Sequence, residues 1–103
     1  MIIYNVTINI DETVQEAWRQ WMLEHHVPAV LATGYFSGAR MSRLLIEEEM
    51  GGITYSVQYE CASMAQLEAY REKEAPRLMA ETEKHFRGKY VAFRTQMEEV
   101  GRW

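Results

Sequence analysis

At 103 residues, with 48% hydrophobic content, the chain is sized for one domain, residues 1–103, and one real core, with no room for a second. Its 15 acidic and 11 basic side chains are interspersed and leave a net charge of −4, which excludes the basic field of a nucleic-acid or anionic-membrane binder. Cys61 is the only cysteine, so an intramolecular disulfide and a zinc-finger spacing are excluded. The start Met1-Ile2-Ile3-Tyr4-Asn5 carries no basic leader with an apolar run, and no stretch is long enough to span a bilayer, so a cytoplasmic protein is expected.

Residues 2 to 10 alternate, with Tyr4, Val6, Ile8 and Ile10 on one face and Asn5, Thr7 and Asn9 on the other, the period of a strand. Asp11 or Thr13, the latter with Glu16 as a capping box, then opens a helix. Its apolar stripe is Val14, Ala17, Trp18, Trp21, Met22 and His25. Pro28 bends or breaks that helix, and a short second piece runs to Gly34. From Tyr35 to Glu48 the chain reads as extended, and Met50-Gly51-Gly52 turns it into a second strand, Ile53 to Glu60, forming a hairpin.

In that strand Ile53, Tyr55, Val57 and Tyr59 share one face, and Thr54, Ser56, Gln58 and Glu60 the other. Ser63 with Gln66 caps another helix, whose Met64, Leu67, Tyr70, Leu78, Met79 and Phe86 face the core and which Pro76 splits. Gly88 ends it. A last strand, Lys89 to Met97, sets Val91, Phe93 and Met97 toward the core and Tyr90, Ala92, Arg94 and Gln96 away from it. The order βαββαβ predicts an α+β, ferredoxin-like fold with a four-stranded antiparallel sheet.

Two helices in that order cover one sheet face and leave the other bare. The bare face is expected to carry Asn5, Thr7, Ser56, Gln58 and Arg94 beside Asn9, Thr54, Tyr90 and Gln96, chiefly neutral amides and hydroxyls. Depletion of charge is the mark of an interface core, and a homodimer burying this face is the expected partner. A wet face is the alternative. An RNA platform wants exposed aromatics and a basic field, which are lacking.

Several segments carry a family resemblance: Met1 to Thr7, WRQWM at Trp18–Met22, Ala32-Thr33-Gly34 with Gly38-Ala39-Arg40, Thr54 to Tyr59, Ala75-Pro76-Arg77-Leu78 and Tyr90 to Thr95. Together they resemble the bacterial family called domain of unknown function 4286, over nearly the whole chain. The resemblance implies a dimeric α+β barrel, akin to cofactor-free monooxygenases, heme-degrading monooxygenases and small-molecule isomerases, with two sheets facing each other and ligand pockets between sheet and helices. It implies no particular activity. Heme-degrading relatives use a strand asparagine, but Asn5 falls on the polar face here and no histidine stands where their second-helix ligand would, so no cofactor is expected.

The sheet-to-helix space is expected to hold Tyr4, Trp18, Trp21, Tyr55, Tyr59 and Tyr70, with Phe93, as a small-molecule pocket or simply as core. His25 is the candidate acid–base group, an imidazole beside tyrosine hydroxyls, and His26 is expected to point away. No metal site is predicted, since His25 and His26 are adjacent, His85 is distant and no HxxxH spacing exists. Arg40, Arg43 and Arg94 can fork onto a carboxylate or serve in ion pairs. Glu47-Glu48-Glu49 reads as a solvated tip and Cys61 as a small buried apolar residue. Three functions stay open: a homodimer with a ligand pocket, a monooxygenase- or isomerase-like enzyme, and a non-catalytic interaction module.

Overall fold

The two alternating segments become β1, Ile2–Ile10, and β3, Ile53–Cys61, in a computed structural model that describes residues 1–46, 48–49 and 51–103. They pair antiparallel along their whole length, from Ile2 opposite Cys61 to Ile10 opposite Ile53. β2, Gly38–Arg43, lies outside β3, and β4, Tyr90–Glu98, lies outside β1, so the sheet order is β2-β3-β1-β4. This is the ferredoxin-like α+β arrangement. β2 is shorter than the extended run expected from Tyr35 to Glu48, and Glu47 and Met50, expected in the acidic tip and the turn, lie outside the described residues. Glu48 is more than a solvated acid, because Thr54 Oγ1 donates to its carboxylate at 2.6 Å. Gly52 has a φ of 80°, and a Cβ there would collide with the Asn9 side chain, so this turn position needs glycine.

Asp11, not Thr13, opens the first helical run. Its Oδ1 accepts from the Thr13 amide at 2.8 Å and from the Thr13 hydroxyl at 2.6 Å. A short turn, Glu12–Val14, leads into α1, Gln15–Trp21, then a π turn over Met22–His26, then α2, Val27–Ala32, with Pro28 in its first turn. Proline cannot donate to the carbonyl four residues back, and the wide turn just before it absorbs that misfit without breaking the run. α3, Met64–Lys73, and α4, Ala75–Phe86, follow with Pro76 again in a first turn. The Ser63 cap is reciprocal: the Gln66 amide donates to Ser63 Oγ at 3.2 Å, while Gln66 Oε1 accepts from the Ala62 amide at 3.1 Å.

All helices lie over one sheet face, around a core that includes Ile10, Trp18, Val30, Val57 and Leu67. Cys61 is buried at the end of β3, its Sγ donating to the Ser63 carbonyl at 3.5 Å. Directly opposed residues on neighbouring strands share a face. Val6 opposes Arg94 and Thr7 opposes Phe93, so β4 runs with the parity opposite to that expected. Tyr90, Ala92, Arg94 and Gln96 lie on the helix-covered face, whereas Val91, Phe93 and Met97 lie on the open one. Phe93 is 65% exposed there and Val91 56%. The inversion arises because apolar residues mark the core only where the other face is wet, and the open face of β4 is the apolar one. Met79, expected in the core, sits at its edge, 46% exposed.

Candidate functional site

Between the covered face and the helices the packing leaves a cavity of about 50 Å³, open at one end. β1 and β3 supply Tyr4, Val6, Val57 and Tyr59, α3 and α4 supply Tyr70 and Leu78, and the first helical run supplies Trp18, Met22, His26 and Val30. Those four are spaced by four residues. In a regular α-helix such a row drifts about 40° per step around the axis. The π turn holds more residues per turn and cancels the drift, so His26 comes onto the inward row behind Trp18 and Met22.

This corrects the expectation for the histidines. His25 is exposed and does not line the cavity, while His26 is half-buried and does. Trp21 packs outside the cavity, its ring 5.0 Å from that of His26 and 5.4 Å from that of Phe86. Tyr55 is buried but also stands outside it, against Trp18 at 4.9 Å, with its hydroxyl accepting from Gln15 Nε2 at 2.6 Å. Tyr4, Trp18, Tyr59 and Tyr70 do come together, with Phe36 wedged 4.7 Å from Tyr70 and 5.2 Å from Tyr59. Phe93 is excluded by the strand parity. Arg94, expected on the open face, instead stands at the cavity rim, where it reaches solvent.

Burial, and after it the charge of Arg94, pushes the His26 imidazole down to about 4, so the ring is neutral at physiological pH. Burial pushes the Tyr59 phenol up beyond its ordinary range and Tyr70 up to about 12; in Tyr90, burial and a hydrogen bond to Glu83 do the same, to about 12. These tyrosines therefore stay protonated. Among the described residues no carboxylate lines the cavity, Arg94 has no ion pair, and the hydroxyls of Tyr4, Tyr59 and Tyr70 make no hydrogen bond. Trp18 Nε1 is the one buried side-chain polar atom among them without a partner. The site is an apolar, aromatic hollow with one cation at its mouth, one neutral imidazole and several unanswered donors.

The open face is built differently. Asn5 accepts from Ser56 Oγ at 2.6 Å and donates to Thr7 Oγ1 at 2.9 Å, and Asn9 donates to Thr54 Oγ1 at 3.2 Å. Asn5, Thr7, Ser56 and Gln58 share this face as expected from the alternation of their strands, with Phe93 and Val91 beside them in place of Arg94.

Among the described residues no group of three or more His, Cys, Asp or Glu side chains is gathered to hold a metal, and no helix is long and apolar enough to cross a membrane.

The family model described as "Domain of unknown function (DUF4286)" matches residues 1–100. No curated protein matches by sequence. Among solved structures, the chain is similar to HapK from Hahella chejuensis, at a TM-score of 0.75 and 13% identity over 100% of this chain and 96% of that one. A dimeric ferredoxin-like protein from an uncultured marine organism aligns at 0.72 and 11% over 100% and 98%. A point mutant of MhuD, solved with two manganese protoporphyrin IX bound per active site, aligns at 0.71 and 16% over 100% and 98%. At these identities the likeness shows a common fold.

Proposed function

We propose, from the premise that this chain belongs to the DUF4286 family, that it is a homodimeric α+β-barrel protein whose helix-covered cavity binds a small molecule. The observation that carries the reading is the convergence of His26, Arg94 and three tyrosine hydroxyls, without hydrogen-bond partners among the described residues, on an apolar hollow. Pockets of this kind, mostly apolar with a few convergent polar groups, are the usual form of a ligand site. The open sheet faces of two copies meet in this reading, supported by the exposed Phe93 and Val91 and by a polar network that satisfies itself and so costs little to bury. The dimeric ferredoxin-like neighbour supports the same assembly. The net charge of −4 speaks against a nucleic-acid partner, and one buried thiol suits a reducing cytoplasm.

A catalytic reading, isomerase- or monooxygenase-like on a small apolar substrate, is supported by His26 rather than His25. A neutral imidazole facing the cavity can take a proton, although a ring held near 4 is a weak base. The test combines light scattering with thermal shift against a library of small aromatic and aliphatic compounds. A mass of about 24 kDa, twice the 12.1 kDa chain, is expected. Compounds that stabilise the protein are expected to lose their effect in Ala92→Leu, whose added bulk is of the order of the cavity of about 50 Å³. A monomer at micromolar concentration overturns the dimer, and ligands unaffected by the filled cavity overturn the site.

A further inference from the structure

An arginine on the covered face of a sheet is out of place as packing. The stem of Arg94 starts beside Val6 and Ala92, across on β1 and along β4, and its head reaches solvent at the cavity mouth, as long charged side chains do above apolar surface. Arg77, Arg87 and Arg102 each hold a carboxylate, at 3.0, 3.3 and 2.7 Å, whereas Arg94, like Arg19, Arg40, Arg43 and Arg71, holds none among the described residues; what sets Arg94 apart is that it alone of these lines the cavity. Groups that its charge reaches include His26, Tyr70 and Tyr90, none of them anionic at neutral pH. Glu83 is no substitute, since it already accepts from the Tyr90 hydroxyl at 2.6 Å and from Arg87.

We infer that the cavity takes a small organic monocarboxylate with a short apolar or aromatic body, its carboxylate forked onto Arg94 at the rim and its body among the rings of Tyr4, Tyr59 and Tyr70. The inference rests on the binding role proposed above and names the chemical class that the role would serve. A planar guanidinium with no competing acid is matched to a carboxylate. One cation at a hollow free of other charge balances one negative charge, so a dianion such as a phosphate monoester would be left half-compensated in a chain of net charge −4. The walls are chiefly apolar, and the tyrosine hydroxyls and the neutral His26 ring, each able to donate or accept, offer the polar contacts for the rest of the ligand.

Size narrows the class further. A cavity of about 50 Å³ is a third of the roughly 150 Å³ that encloses benzene. The enclosed part of the ligand is therefore a ring edge or a short chain, and the carboxylate remains at the open rim, where Arg94 stands.

The experiment measures binding of benzoate, phenylacetate and indole-3-acetate against their neutral primary amides by NMR titration of the ¹⁵N-labelled full chain. The Trp18 indole N–H resonance serves as the local reporter. At least one acid is expected to bind ten-fold or more tightly than its amide, to move the Trp18 resonance, and to lose that preference in Arg94→Gln, with folding checked by circular dichroism. Equal binding of acid and amide overturns the acid assignment and leaves the binding role standing. An acid preference that survives in Arg94→Gln overturns Arg94 as the anchor. If neither acids nor amides bind at millimolar concentration, the inference and the binding role fall together.

Discussion

The two faces of one sheet handle their polar groups in opposite ways. On the open face, Asn5, Thr7 and Ser56 answer one another, as do Asn9 and Thr54. On the covered face, Trp18 Nε1 is buried without a partner among the described residues, while Arg94, which has no acid, stands at the rim and reaches solvent. A satisfied polar surface can be pressed against another surface with little desolvation cost, whereas a buried unsatisfied group keeps that cost until something else enters. The contrast supports the proposal that association belongs to one side and ligand binding to the other, which hydrophobicity alone does not separate, because both sides carry aromatics.

The contrast is broken most directly at Phe93. Phe93→Glu puts a charge into each half of a two-fold interface, and two lost anchors of about 2 kcal/mol each predict a dissociation constant raised about a thousandfold. Sedimentation equilibrium checks it, and a variant as dimeric as the parent would refute the role of the open face. Leu67→Ala, by contrast, opens the fully buried core and is expected to cost about 3 kcal/mol in urea unfolding while leaving the association constant of the folded chains unchanged.

His26 sharpens the comparison through pH. Its imidazole is held near 4 when folded and returns to about 6.5 when unfolded, so between those values the unfolded chain binds the extra proton. The stability due to the neutral ring is complete above about pH 6.5, falls as pH drops toward 4, and amounts to about 3 kcal/mol. Chemical denaturation across that window is expected to show a shallower slope in His26→Gln; an identical slope would mean that the ring titrates normally. The smallest effect belongs to Arg94→Gln, which should change unfolding free energy by less than about 0.5 kcal/mol, since an exposed arginine without an internal partner holds nothing together. A larger loss would make Arg94 structural.

Much of the fold is legible in the residues alone. β1 and β3 alternate cleanly because one side of each is core and the other polar, and the Ser63–Gln66 box announces its helix. The site is harder to read. In β4 the rule that apolar means covered reverses itself, since Val91 and Phe93 serve an open face. A regular helical wheel favours His25 over His26, and the helix is not regular there. The signal against it is present, in the unbroken four-residue spacing of Trp18, Met22, His26 and Val30, which a widened turn keeps on one side. The orphaned Trp18 N–H has no sequence signal, as it depends on which atoms happen to pack nearby.

Cys61 gives the molecule a clock. It is the only thiol, 1% exposed, and burial pushes its pKa up, so a thiol reagent in solution finds neither the sulfur nor much thiolate while β3 stays paired to β1. Its rate of modification then counts how often that end of the sheet comes apart. Because Ile2 pairs directly with Cys61, the count reports on the strand that runs between the two faces.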